Sequence, residues 1–193
     1  MVRAPLFRET PSMGAASYFA RDYAEARRKF LAAAKTAGLK VTSFENPARG
    51  PAGETLHTDV IRIGSPAATR FVLTNTATHG VEGFCGSGAT VGWLRSGEWK
   101  RLPRGVAMVM VHAINPHGFA WLRRVTEDNV DLNRNFQDFG KPLPENRAYD
   151  ELHPVILTER WDDAAAARRA AAFEAFRTKH GAMELQRAIS GGQ

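Results

Sequence analysis

The sequence predicts an α/β fold, a mixed and mostly parallel sheet flanked by helices, in a single domain over residues 1–193. Three observations predict it. The runs "RFVLTNTA" and "GVAMVMVHAI" are almost continuously apolar and β-branched, the pattern of central strands covered on both faces. Between them "EGFCGSGATVGWLRSG" has the length of a helix, and strand, helix, strand implies a parallel crossover. The chain has 193 residues, 44% hydrophobic and 24% charged, enough to bury one ordinary core and too few for two full domains.

Taken in order, the first element is a helix through "YFARDYAEARRKFLAAAKTAG", with Ser17 or Ser12 as its cap. Phe19, Tyr23, Ala26, Phe30 and Ala34 recur at steps of three and four, and Gly38 closes the end. "KVTSFEN" and "LHTDVIRIG" read as strands on either side of the turn-rich "PARGPAGE", a spacing that suits an antiparallel pair, with His57 expected near the sheet edge. The glycines of "EGFCGSGATVGWLRSG" cost helix propensity, so close packing must require them. From Glu145 onward the chain turns helical, first in "ENRAYDELHPVIL" and then in "DDAAAARRAAAFEAFRTKHG". Trp93, Trp99, Trp121 and Trp161 are expected in the core or at its rim.

Charge and cysteine content exclude several classes. The formal charge of +6 is spread along helix-like stretches rather than gathered in one basic patch, so no nucleic-acid partner is expected. The single Cys85 rules out an internal disulfide and a Cys-rich zinc module, and its place just inside a helix is read as packing. Neither an apolar leader nor a run of about 18 apolar residues is present, so the expectation is a soluble cytoplasmic protein with no membrane partner.

Two polar clusters follow the two apolar strands, and in open α/β sheets ligands bind beyond the carboxyl ends of strands. The first is "THGVEG". His79 and Glu82 stand three apart on a turn opened by Gly80, and zinc accepts imidazole and carboxylate donors. Taken singly, H-x-x-E arises by chance, and a loop histidine more often serves only as a hydrogen-bonding group. The second cluster is "NPHGFAWLRRVTEDNVDLNRNF", residues 115–136. An Arg fork beside an amide, Arg134 with Asn133, suits a carboxylate, and Arg123 or Arg124 is placed to meet the oxygen of a scissile carbonyl. The plainer reading puts Arg134 in a structural salt bridge and the other two on a solvated face. His112 and His117 flank the end of the preceding strand, where either lines the pocket or bonds to backbone.

The order of "THGVEG", "NPHGF" and "VDLNRNF" resembles the zinc carboxypeptidase family. More narrowly, "SYFARDYAEARRKFLAAA", "ATHGVEGFCGSGA" and "RRVTEDNVDLNRNF" look like the DUF2817 branch of that family, over most of the chain. The resemblance implies a zinc carboxypeptidase-like fold, a zinc ion and hydrolysis of an amide bond next to a carboxylate, on a peptide or an N-acyl amino acid. By position, His79 and Glu82 match zinc ligands, Asn133 and Arg134 match the carboxylate-binding pair, and Arg124 is the closer match to the carbonyl-polarising arginine, with Arg123 the alternative. Family members take a third ligand, a histidine, from a later strand and a general-base glutamate from further on. After Arg134 the only histidines are His153 and His180, both in helical context. The expectation is therefore an N-terminal part of the domain, truncated before those residues, with weak or partial zinc binding, no peptidase turnover of its own and an exposed sheet edge through which copies associate. A catalytically inactive remnant or carboxylate-binding module is the alternative.

Overall fold

The computed structural model describes residues 14–143 and 145–190. The chain divides into two compact units, one reaching Asn129 and the other starting at Val130.

The first unit opens with a short 3-10 turn, Ala15–Tyr18, and helix α1, Tyr23–Thr36. The helix starts later than its apolar periodicity indicates. Asp22 is its cap, accepting from the Glu25 N–H at 2.7 Å, while the Glu25 carboxylate accepts from the Arg21 N–H at 2.9 Å. This D-x-x-E pattern satisfies orphan amides from both directions, as a capping box does. Ser17 belongs to the preceding turn and Ser12 lies outside the described residues. Gly38 closes the helix at φ +70°, a left-handed conformation, with the Leu39 N–H returning to the Ala34 carbonyl at 2.9 Å.

Strands β1, Val41–Arg49, and β2, Thr55–Ile63, pair antiparallel as expected. Strand β3, Arg70–Asn75, runs parallel to β4, Val106–His112, and β4 pairs antiparallel with β2. The order β1-β2-β4-β3 makes the sheet mixed, and among the described residues its parallel part is the β3–β4 pairing. Helix α2, Gly83–Ser96, supplies the crossover between those two strands. His57 lies in β2, an inner strand, with its backbone N–H and C=O both bonded to the Tyr23 hydroxyl.

Registry fixes the faces. Ile61 lies beside Met110, and Asp59 beside His112, so these four share a face. That face is covered by α1 and α2: Phe30, Ala33, Ala34, Val91 and Leu94 pack on Ile61, Ile63 and Met110, with Trp93 and Trp99 at the margin of the same core. On the opposite face Phe71 lies beside Ala107 and Leu73 beside Val109. Phe71 is 60% exposed and Leu73 67% exposed. The expectation that β3 is a central strand is thus corrected, since among the described residues it is an edge strand. An unbroken apolar run records how much surface a strand offers for burial and carries no information on strand order.

The second unit holds helices α4, Arg147–Ile156, α5, Asp163–His180, and α6, Ala182–Ser190, joined around Leu152, Phe176 and Ala188. His153 and His180 lie on α4 and α5, where their rings meet Tyr149 and Phe176. Trp161 is corrected from a core or rim residue to an exposed one, stacked under Arg169.

Candidate functional site

The site is built where β3 and β4 end. After β3 the chain turns sharply at Ala77, a buried non-glycine residue at φ +59°, and reaches His79 two residues on. After β4 it passes Ala113 and Ile114 to Asn115, which caps the short helix α3, Pro116–Ala120. A second left-handed non-glycine residue, Leu122 at φ +55°, stands two residues before Arg124. Left-handed backbone at a residue with a Cβ costs about 1–3 kcal/mol and persists where the surroundings over-determine it. Here it stands just ahead of both the His79–Glu82 turn and Arg124.

The segments that follow β3 and β4 are tied by backbone and by one side chain. Ile114 and Asn115 donate their N–H groups to Thr76 and Ala77 at 2.9 and 3.2 Å. Gly80 donates to the Arg123 carbonyl at 3.0 Å, and a Cβ on Gly80 would collide with the Gly118 backbone. Only glycine permits that approach. The Asn115 side chain, 1% exposed with its residue, accepts from the Gly118 N–H at 2.8 Å and turns its amide toward the Thr78 and Arg124 carbonyls, each at 3.5 Å.

On this frame His79 precedes the 3-10 turn Gly80–Glu82, and its Nδ1 lies 3.0 Å from Glu82 Oε1. Imidazole and carboxylate therefore converge, with the His79 side chain nearly buried and that of Glu82 70% exposed. Two atoms each about 2.0–2.2 Å from one zinc ion are able to be this far apart. A catalytic zinc site takes three protein donors. Among the described residues no group of three or more His, Cys, Asp or Glu is placed to hold an ion. Among the described residues His79 and Glu82 are thus a converging imidazole–carboxylate pair, without the further donor that a complete catalytic zinc site takes.

Arg123 extends its guanidinium to the Asn129 side chain at 3.4 Å, and its backbone carries the bond to Gly80. Arg124 follows directly, its carbonyl facing Asn115. Asn133 and Arg134 belong to the second unit, in the 3-10 turn Leu132–Arg134, which Asp131 caps through the Asn133 N–H at 2.9 Å. There Arg134 Nε donates to the Ser190 carbonyl at 3.2 Å, so its partner is a backbone oxygen rather than the carboxylate of a structural salt bridge.

Several expectations change. Cys85 is exposed on α2 rather than packed, and Trp121 is exposed with its indole N–H on the Arg49 carbonyl. His112 does not line a pocket: it is 1% exposed, stacked at 4.4 Å on Phe30, with Nε2 2.8 Å from the Ser87 hydroxyl. Asn115 is a structural centre whose one sequence signal is "NP" before a short helix, the mark of a cap. Asp59, in the middle of β2, likewise carried no functional reading in the sequence. Asp59 is 0% exposed and takes the Arg27 guanidinium at 2.7 and 3.1 Å.

A family model described as a protein of unknown function, DUF2817, matches residues 19–193, and the chain belongs to that family. No curated protein matches it. Among solved structures it is similar to the glutaminyl cyclase of Tannerella forsythia, at 16% identity over 70% of this chain and 59% of that one, with a TM-score of 0.36. A Zn-dependent exopeptidase of Parabacteroides distasonis is similar at 14% identity, 66% and 56% coverage and TM-score 0.36. The glutaminyl cyclase of Macrostomum lignano matches at 10% identity, 49% and 32% coverage and TM-score 0.35. The chain therefore spans between about a third and three fifths of the length of these structures.

Proposed function

We propose, starting from membership of DUF2817, that the chain carries the metal-binding pair of a metallocarboxypeptidase-like hydrolase that cleaves an amide bond next to a carboxylate. His79 and Glu82 are the metal ligands and zinc is the ion. Arg124 is the group that meets developing charge on the carbonyl oxygen, and Asn133 with Arg134 holds the substrate carboxylate through paired hydrogen bonds. The observation that carries this reading is the 3.0 Å approach of His79 Nδ1 to Glu82 Oε1 on a turn bonded to the Arg123 backbone. Substrates of the class are peptides with a free C-terminus or N-acyl amino acids, both of which present a carboxylate to a guanidinium fork.

A second reading, a carboxylate-binding module without turnover, is favoured by the two-donor set. One experiment separates them. The chain is incubated with a panel of peptides and N-acyl amino acids, with zinc and with chelator, and release of free amino acid is measured beside ligand binding. Chelator-sensitive release that Glu82→Gln abolishes establishes the hydrolase. Binding without release, lost in Arg134→Leu, establishes the module, and absence of both overturns the two readings together.

A further inference from the structure

We propose that Asn115 is a positioning residue, whose side-chain amide holds the His79–Glu82 turn and the Arg124 segment in one register through the Thr78 and Arg124 carbonyls. In the reading of the site given above, on which this role rests, His79, Glu82 and Arg124 are the groups that must meet one substrate carbonyl. Thr78, His79 and Arg124 all lie in irregular backbone, so neither a helix nor a sheet ladder sets their spacing.

A carboxamide has one acceptor oxygen and two N–H donors. At Asn115 the oxygen accepts from the Gly118 N–H at 2.8 Å as the cap of α3, and this fixes which way round the amide lies. The nitrogen then stands between two carbonyls from different segments, those of Thr78 and Arg124, each at 3.5 Å. Gly118 leaves room for it, since a Cβ there would lie 2.4 Å from Asn115 Nδ2. The backbone of Asn115 is engaged as well, its N–H with the Ala77 carbonyl at 3.2 Å and its C=O with the Phe119 N–H at 3.1 Å. With the residue 1% exposed, bulk water does not replace a lost donor. Two carbonyl oxygens would then converge without a hydrogen between them, which costs their full desolvation.

Capping alone does not ask for asparagine. Asp and Ser cap a helix as well. Asp copies the shape of Asn and supplies the capping oxygen, but its carboxylate has no N–H and would face both carbonyl oxygens. Ser supplies the oxygen, and its single hydroxyl hydrogen serves at most one further partner. The carboxamide alone among these short side chains combines the cap with a two-pronged donor. The two roles are reported by different backbone amides. Gly118 N–H reports the cap. Gly80 N–H reports the site, because its 3.0 Å bond to the Arg123 carbonyl joins the same two segments beside the carbonyls that the amide bridges.

Amide hydrogen exchange on the whole chain, resolved by NMR, reads the two bonds separately. In N115D the Gly118 N–H is expected to keep its protection within about twofold, while that of the Gly80 N–H falls about tenfold or more, as when one buried group loses its partner. N115S, a cap without the charge, carries the same expectation. With zinc added, the His79 Nδ1 response of the wild type should weaken severalfold in both variants. A fall in protection at Gly80 no larger than at Gly118, or a zinc response of wild-type strength in both variants, would overturn the positioning role and leave Asn115 as a helix cap. Should neither variant fold, the wild-type protein decides: its Asn115 side-chain amide protons are expected to exchange at least about tenfold more slowly than those of a free carboxamide, and exchange at the free rate overturns the role. A wild type whose His79 ignores zinc contradicts the metal reading alone, since the comparison of Gly80 with Gly118 needs no metal.

Discussion

Burial pushes the His112 imidazole down to about 4, desolvation outweighing the nearby Asp59 carboxylate that favours the charged ring. An unfolded histidine titrates near 6.5, so between about pH 6.5 and pH 4 the unfolded chain binds the proton first. Stability from this residue is full above the unfolded value, falls as pH drops through that window, and flattens below it. At pH 5 the loss amounts to about 2 kcal/mol. Urea unfolding at pH 7 and pH 5 should show it, and His112→Gln should shrink the difference between the two curves; an unchanged difference would assign the pH dependence elsewhere. The Arg27–Asp59 pair gives a second expectation at this scale. Removing the guanidinium in Arg27→Ala leaves a fully buried carboxylate uncompensated and should cost about 3–5 kcal/mol. Neither role was legible from a residue's neighbours in sequence, because Arg27, Asp59, Ser87 and His112 lie on four different elements.

At the scale of elements, α2 shows why a helix with unfavourable composition forms. Gly83 begins it, and a Cβ there would lie 2.8 Å from both the Ala77 Cβ and the Phe119 ring, which is itself wholly buried. In an exposed helix Gly→Ala gains about 1 kcal/mol. Here overpacking reverses the sign, and Gly83→Ala should lower stability by about 1–3 kcal/mol in thermal or urea unfolding. The packing demand was readable from the excess of glycines. Strand β3 was legible as an element and not as a position, which among the described residues is the sheet's edge, since central and edge strands alike read as apolar runs. The start of α1 was missed for a local reason: Tyr18 and Phe19 continue the helical periodicity, yet Asp22 and Glu25 capture the free amides three residues further on. The convergence of His79 and Glu82 was the most legible part of the candidate site, because the two stand three residues apart and their approach depends on one turn. Asn115 acts through backbone carbonyls at 78 and 124, which leave no trace in side-chain identity.

For the whole molecule, the chain divides into two compact units and carries a formal charge of +6. No described helix is long and apolar enough to cross a membrane. Among the described residues the proposed pair supplies two protein donors, fewer than the three or four of complete sites, so the expected occupancy after dialysis is below one ion per chain. The central claim is that His79 and Glu82 bind one ion together, and imidazole nitrogen spectroscopy tests it most directly. In a zinc titration followed by long-range proton–nitrogen NMR, assigned with His→Ala variants, the account predicts that the His79 Nδ1 resonance shifts while those of His112, His153 and His180 do not, and that Glu82→Gln weakens the effect severalfold. A shift centred on any other histidine, or a His79 response indifferent to Glu82, would contradict it.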